Sequence, residues 1–135
     1  MNRTFFVIMA GFALLACKPA TISLSDGSCP TLRDGDFVEG VAKLTAYRGP
    51  AATRFDASLT RKMCPGEIGL MFSREEVWPE YRLLLRQLPS KHPTEAPDHD
   101  PDFVESDVLV SGRIVIDRTD DGLGPWLDVA SIGPH

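Results

Sequence analysis

A chain of 135 residues, 43% apolar and 24% charged, has room for one domain and excludes both wholesale disorder and repeated membrane spans. Eleven glycines and eleven prolines favour short strands and turns over long helices. A net charge of −5 without a dense Lys/Arg cluster presents the wrong field to a phosphate backbone, which excludes nucleic acid as a partner and disfavours adsorption to anionic headgroups.

The N-terminus reads Met-Asn-Arg and then an apolar run to Ala16, with one positive charge at its tip and a small residue at its end. This is the anatomy of a signal peptide over 1–16. The run is shorter than the about 20 apolar residues of a membrane span, and Lys18-Pro19 follows it directly. Its last residues, Leu14-Leu15-Ala16-Cys17, resemble the lipobox of bacterial lipoproteins, with leucine three positions before the cysteine and a small residue just before it. Leu15 departs from the Ala or Ser more usual at the middle position. The resemblance implies that cleavage precedes Cys17, that its sulfur carries a diacylglycerol and that its new amine is acylated. Two or three acyl chains suffice for stable anchoring, because each buried methylene contributes about 0.8 kcal/mol. The bilayer, reached through acylated Cys17, is then a partner, and the address is the bacterial envelope facing the periplasm. Lys18 stands where Asp directs retention in the inner membrane of some bacteria, so the outer membrane is the favoured destination.

Three cysteines are an odd number for an exported protein. Committing Cys17 to lipid leaves Cys29 and Cys64 as a pair, and an oxidising periplasm permits their disulfide. No Cys-x-x-Cys element is present, which argues against a thioredoxin-like redox site.

Residues 17–35 are rich in Pro, Ser, Asp and Gly and poor in apolar side chains, and read as the lipidated cysteine followed by a flexible tether. The single β-rich domain is expected over 36–135. Alternation over 37–47 predicts a half-buried strand, with Val38, Ala42, Leu44 and Ala46 on one face. Weaker alternation over 53–59 predicts a second strand, and Ile68, Leu70 and Phe72 mark a third. Ser73 and Glu76 form a capping-box pattern. The stripe Tyr81, Leu84, Leu85 and Leu88 predicts a helix over 79–88, with Pro79 as its first residue. Four prolines among charges make 89–106 an exposed loop. A strand over 107–118, partly buried on both faces, and a last strand over 126–132 complete the order.

Three strands, a helix and two strands resemble the OB-fold, a small five-stranded antiparallel barrel with one helix between its third and fourth strands. Glycine inside long strands, here Gly40 and Gly112, permits the bends that close such a barrel. An open antiparallel α+β sheet satisfies the same pattern.

The resemblance places a binding surface at the loops joining the first to the second and the fourth to the fifth strands. These carry Tyr47, Arg48 and Arg54 on one side and Arg118 and Trp126 on the other, side chains suited to planar or anionic groups. The plainer assignment has Trp126 filling the core and the arginines solvated. His92, Asp98 and His99 in the proline-rich loop are the candidate metal ligands, weighed against a solvated acidic loop without rigid support. No catalytic elbow, His-Glu-x-x-His pair or phosphate-cradling loop occurs, and no cofactor is implied. The expectation is a non-enzymatic binding or interaction module for an envelope protein or small ligand. A metal-binding accessory protein is the alternative, and an enzyme of undetected mechanism the second.

Overall fold

The computed structural model describes residues 20–48, 57–90, 103–116 and 124–135. They form β1 (Thr21–Ser23), β2 (Phe37–Tyr47), β3 (Ala57–Thr60), β4 (Glu67–Met71), α1 (Val77–Gln87), β5 (Phe103–Val115) and β6 (Trp126–Pro134).

The five strands β2 to β6 close on themselves. The ladder runs β2, β3, β4, β6, β5, and β5 returns to β2 along the whole of Phe37–Tyr47, from Phe37 beside Arg113 to Tyr47 beside Phe103. That last pairing rules out the open sheet. The barrel is OB-like, with α1 between its third and fourth strands. It is mixed where an antiparallel one was expected, because β4 and β6 run parallel from Gly69 beside Trp126 to Met71 beside Asp128.

Parity decides what fills the barrel. Val38, Ala42, Leu44 and Ala46 of β2 face inward, and Val104, Val108, Val110 and Ile114 of β5 meet them. Leu59, Leu70, Leu127 and Val129 supply the remaining walls, all fully buried. Burying a side chain of this size contributes about 1.5–3 kcal/mol, so this interior is the main source of stability. The strand expected over 107–118 begins earlier, at Phe103, because the inward alternation continues back through Val104. On its outer face Val115 is half-buried, whereas Leu109 is 53% exposed.

Helix α1 begins at Val77, two residues before the predicted start. Pro79 falls in its first turn, where backbone N–H groups have no intrahelical acceptor, so the missing donor costs nothing there. The capping box does not form. Glu76 occupies the N-cap without a side-chain bond, and Ser73 instead donates its hydroxyl to Asp128 Oδ2 at 2.6 Å. Val77, Tyr81, Leu84 and Leu85 bury the apolar stripe of α1, and Phe72, Trp78 and Tyr81 pack their rings together beside it.

The segment expected to be a flexible tether is, from residue 20 onward, part of the fold. Thr21–Ser23 pairs parallel with Phe37–Glu39, Leu24 is 1% exposed, and Ile22 and Leu32 pack against the core. Strand β2 therefore shares one edge between two partners, β1 along its first three residues and β3 from Lys43 to Ala46. Gly40 lies at the change of partner. Its φ of 136° is a conformation side chains resist, and a Cβ there would stand 3.0 Å from Ser25 Oγ. Ser25 Oγ accepts the Val41 N–H at 3.1 Å, satisfying the donor left without a strand partner.

The Cys29–Cys64 disulfide is formed, with the two Cα atoms 5.4 Å apart. It fixes the far end of the N-terminal segment to the turn between β3 and β4. Cys29 holds a positive φ of 50°, unusual for a residue with a side chain, within a turn closed by its N–H on the Asp26 carbonyl.

Candidate functional site

The predicted binding residues divide between the two ends of the barrel. Tyr47 closes β2 beside Phe103, the first residue of β5, and their rings stand 5.4 Å apart. Trp126 opens β6 beside Val115, the last residue of β5. The antiparallel register of β5 thus separates Tyr47 from Trp126 by the whole length of that strand. Arg54 and Arg118 lie outside the described residues, as do Cys17 and the candidate metal ligands His92, Asp98 and His99.

Arg48 is half-buried, and its guanidinium is engaged within the fold. Its Nη1 donates to the Leu85 carbonyl at 2.9 Å and also to the Leu88 carbonyl, and its Nη2 donates to Ser90 Oγ at 3.0 Å. The last carbonyls of a helix lack intrahelical donors, and a cation placed there also meets the negative end of the helix dipole. Arg48 thus joins the end of β2 to the end of α1. Hydrogen bonds from a charged group contribute about 1.5–3 kcal/mol, so Arg48→Ala should lower unfolding free energy in urea by about 2 kcal/mol. Arg48→Lys, which cannot fork, should recover only part of the loss. Unchanged stability in Arg48→Ala would show that water serves these carbonyls equally well.

Trp126 does not fill the core. Leu127 and Val129 own the inward parity of β6, so Trp126 stands on the outer face with its ring across Gly69. A Cβ on Gly69 would come 2.5 Å from the indole, which makes this glycine the floor on which the ring lies. Beside it, Asp128 accepts both the N–H and the hydroxyl of Ser73. This carboxylate is therefore engaged in joining β6 to the segment before α1.

Phe103 escaped sequence reasoning because it was assigned to the proline-rich loop. The signal was present in Val104, whose parity extends that of Val108 and Val110 backward across Ser106. Phe103 is 42% exposed and, with Tyr47, forms an aromatic pair on the outer face. Along the same face Lys43 pairs with Glu105 at 3.1 Å, and Val41 stands beside the exposed Leu109.

Shallow concavities occur among the described residues. One of about 270 Å³ is lined by Leu24, Ser25, Lys43, Lys62, Asp107 and His135. A second of about 430 Å³ lies over Thr21, Ser23, Glu39, Leu109, Ser111 and Ser131, and a third of about 310 Å³ lies beside Cys29, Arg61 and Pro125. No polar or charged residue among those described is buried, and no three His, Cys, Asp or Glu side chains gather as a metal site. Asp26, at the rim of the first concavity, is held below the usual carboxylate range by the backbone N–H and then the hydroxyl of Ser28. This is a local turn contact in full solvent and brings no second titratable group to the carboxylate.

The chain matches no protein-family model, no curated protein and no solved structure. The outer surface of the barrel carries both apolar and charged side chains. Its apolar and aromatic features include the Tyr47–Phe103 pair, Leu109 beside Val41, and Trp126 over Gly69. These side chains suit contact with another surface more than enclosure of a small molecule.

Proposed function

We propose that this protein is a lipid-anchored module of the bacterial envelope, exported by residues 1–16, acylated at Cys17 and facing the periplasm as a non-enzymatic interaction domain. The observation that carries the reading is the pairing of Cys29 with Cys64. It accounts for two of three cysteines, and the third stands at the end of Leu14-Leu15-Ala16-Cys17 behind an apolar run. A disulfide suits an oxidising compartment, and an odd cysteine at that position suits acylation. Lys18 after the modified residue favours the outer membrane. The Tyr47–Phe103 pair, with Phe103 exposed and Tyr47 half-buried, is the surface best suited to an envelope protein, because aromatic side chains supply large contact area at low entropic cost.

Expression of the full chain in a bacterial host supplied with radiolabelled palmitate tests the anchor. The product should carry label and sediment with membranes. Cys17→Ser should lose the label and leave the membrane fraction or accumulate unprocessed. An unlabelled product, or a serine variant whose processing and fractionation are both unchanged, overturns the reading.

A further inference from the structure

We infer that the barrel sits directly on the bilayer, with the rim bearing Arg33, Arg113 and Ile116 turned to the lipid headgroups. The inference rests on the acylation of Cys17 proposed above. It follows from where the fold begins. Strand β1 starts at Thr21, four residues after Cys17, and a fully extended chain advances about 3.3–3.6 Å per residue. The span from the acylated residue to the first strand is therefore at most about 14 Å, against the 18 residues of slack that a tether ending at residue 35 would supply. Nor can this span lengthen by peeling β1 away beyond Cys29, because the disulfide holds that residue to Cys64.

Strand direction selects the face. β1 and β2 run parallel, so the chain enters the domain at the end where β2 begins. Thr21 stands beside Phe37, and Phe37 beside Arg113 on β5. The turn before β2 is tied to the same place, with Gly35 N–H on the Ile114 carbonyl and Ile116 N–H on Asp34 Oδ1. Arg33 and Arg113 are exposed on this rim, and Ile116 is 36% exposed. Asp34 and Asp36 lie among them, each accepting a backbone N–H, Asp36 from Arg33 at 2.8 Å. Guanidinium groups beside an exposed aliphatic side chain suit the phosphate layer and the carbon just beneath it. The net acidic charge of the chain does not oppose this seat, because the acyl chains and not the surface charge supply the attachment. The opposite end of β5, with Phe103 and Tyr47, is then the end presented to the periplasm.

The test uses the acylated protein in vesicles of phosphatidylethanolamine and phosphatidylglycerol that carry a nitroxide on a fraction of headgroups. Ile116→Trp and Phe103→Trp place a reporter at exposed positions toward the two ends of β5, each measured against the unsubstituted protein with its two tryptophans. Emission added at position 116 should be quenched severalfold more than emission added at position 103. Inserting a flexible Gly/Ser segment between Pro19 and Ala20 should abolish the difference. Equal quenching at the two positions, or stronger quenching at 103, in protein that carries labelled palmitate overturns the seat and leaves the anchor standing. Protein without palmitate overturns both.

Discussion

Gly112→Ala should prevent the barrel from closing normally and should lower stability by on the order of 3 kcal/mol or more, the upper range for overpacking a filled interior. A Cβ at Gly112 would stand 2.3 Å from the Asp128 carbonyl oxygen and 2.9 Å from Leu127 Cδ1. The first obstacle is backbone, so no rotamer change relieves it. Gly112 lies where the β5–β6 register shifts, since Ser111 stands beside Ser131 and Gly112 beside Val129. The bend that brings the two backbones together there depends on an absent side chain. Relief requires β6 to move away from β5, which also disturbs Leu127 and Val129 in the core. Gly133→Ala is the control, because nothing lies within 4 Å of its added carbon. Thermal unfolding should separate the two variants clearly, and equal midpoints would show that β6 shifts without cost.

Replacing both disulfide cysteines by serine should cost about 4 kcal/mol, the chain-entropy value for a loop of 35 residues. For a domain of about 100 residues that corresponds to a midpoint lower by about 15 °C or more. Total stabilities run to about 5–15 kcal/mol, so the bond supplies a large share of what holds this domain folded. It also decides whether residues 21–32 remain on the barrel, because the short ladder of β1, Leu24 and Leu32 are their other main attachments. Comparison of thermal unfolding with and without reductant should reproduce the effect in the native chain. A shift of only a few degrees would mean that the packing of Leu24 and the bonds of Ser25 hold the segment unaided.

Strand β2 was readable to its boundaries because a half-buried strand writes its two faces as alternating residues. The same logic made β6 and the centre of β5 readable. It would also have placed Trp126 outside, since Leu127 and Val129 already claim the inward parity, but bulk and hydrophobicity argued for the core. Strand β1 was not readable. Three residues cannot display a period, and what fixes them is pairing with Phe37–Glu39, a relation between distant parts of the chain. The hydrogen bonds of Arg48 were hidden for a related reason. Its acceptors, the carbonyls of Leu85 and Leu88, are backbone groups that have no sequence signature. The disulfide was readable by counting, because assigning Cys17 elsewhere left a single pair. Arg54, Arg118, His92, Asp98 and His99 fall outside the described residues, and of the remaining binding candidates Tyr47 lies at one end of β5 and Trp126 at the other.

Dividing one edge of β2 between two strands has a consequence for how the polypeptide avoids self-association. A bare strand edge offers its amide and carbonyl groups as a template for another molecule, and an alternating apolar strand such as β2 would be an efficient one. Residues 21–25 cover the stretch that β3 does not reach, with Ser25 sealing the join. They also precede β2 in synthesis, so the guard is available before the hazard emerges. These few residues thereby protect the nascent barrel from sticking to other copies of itself.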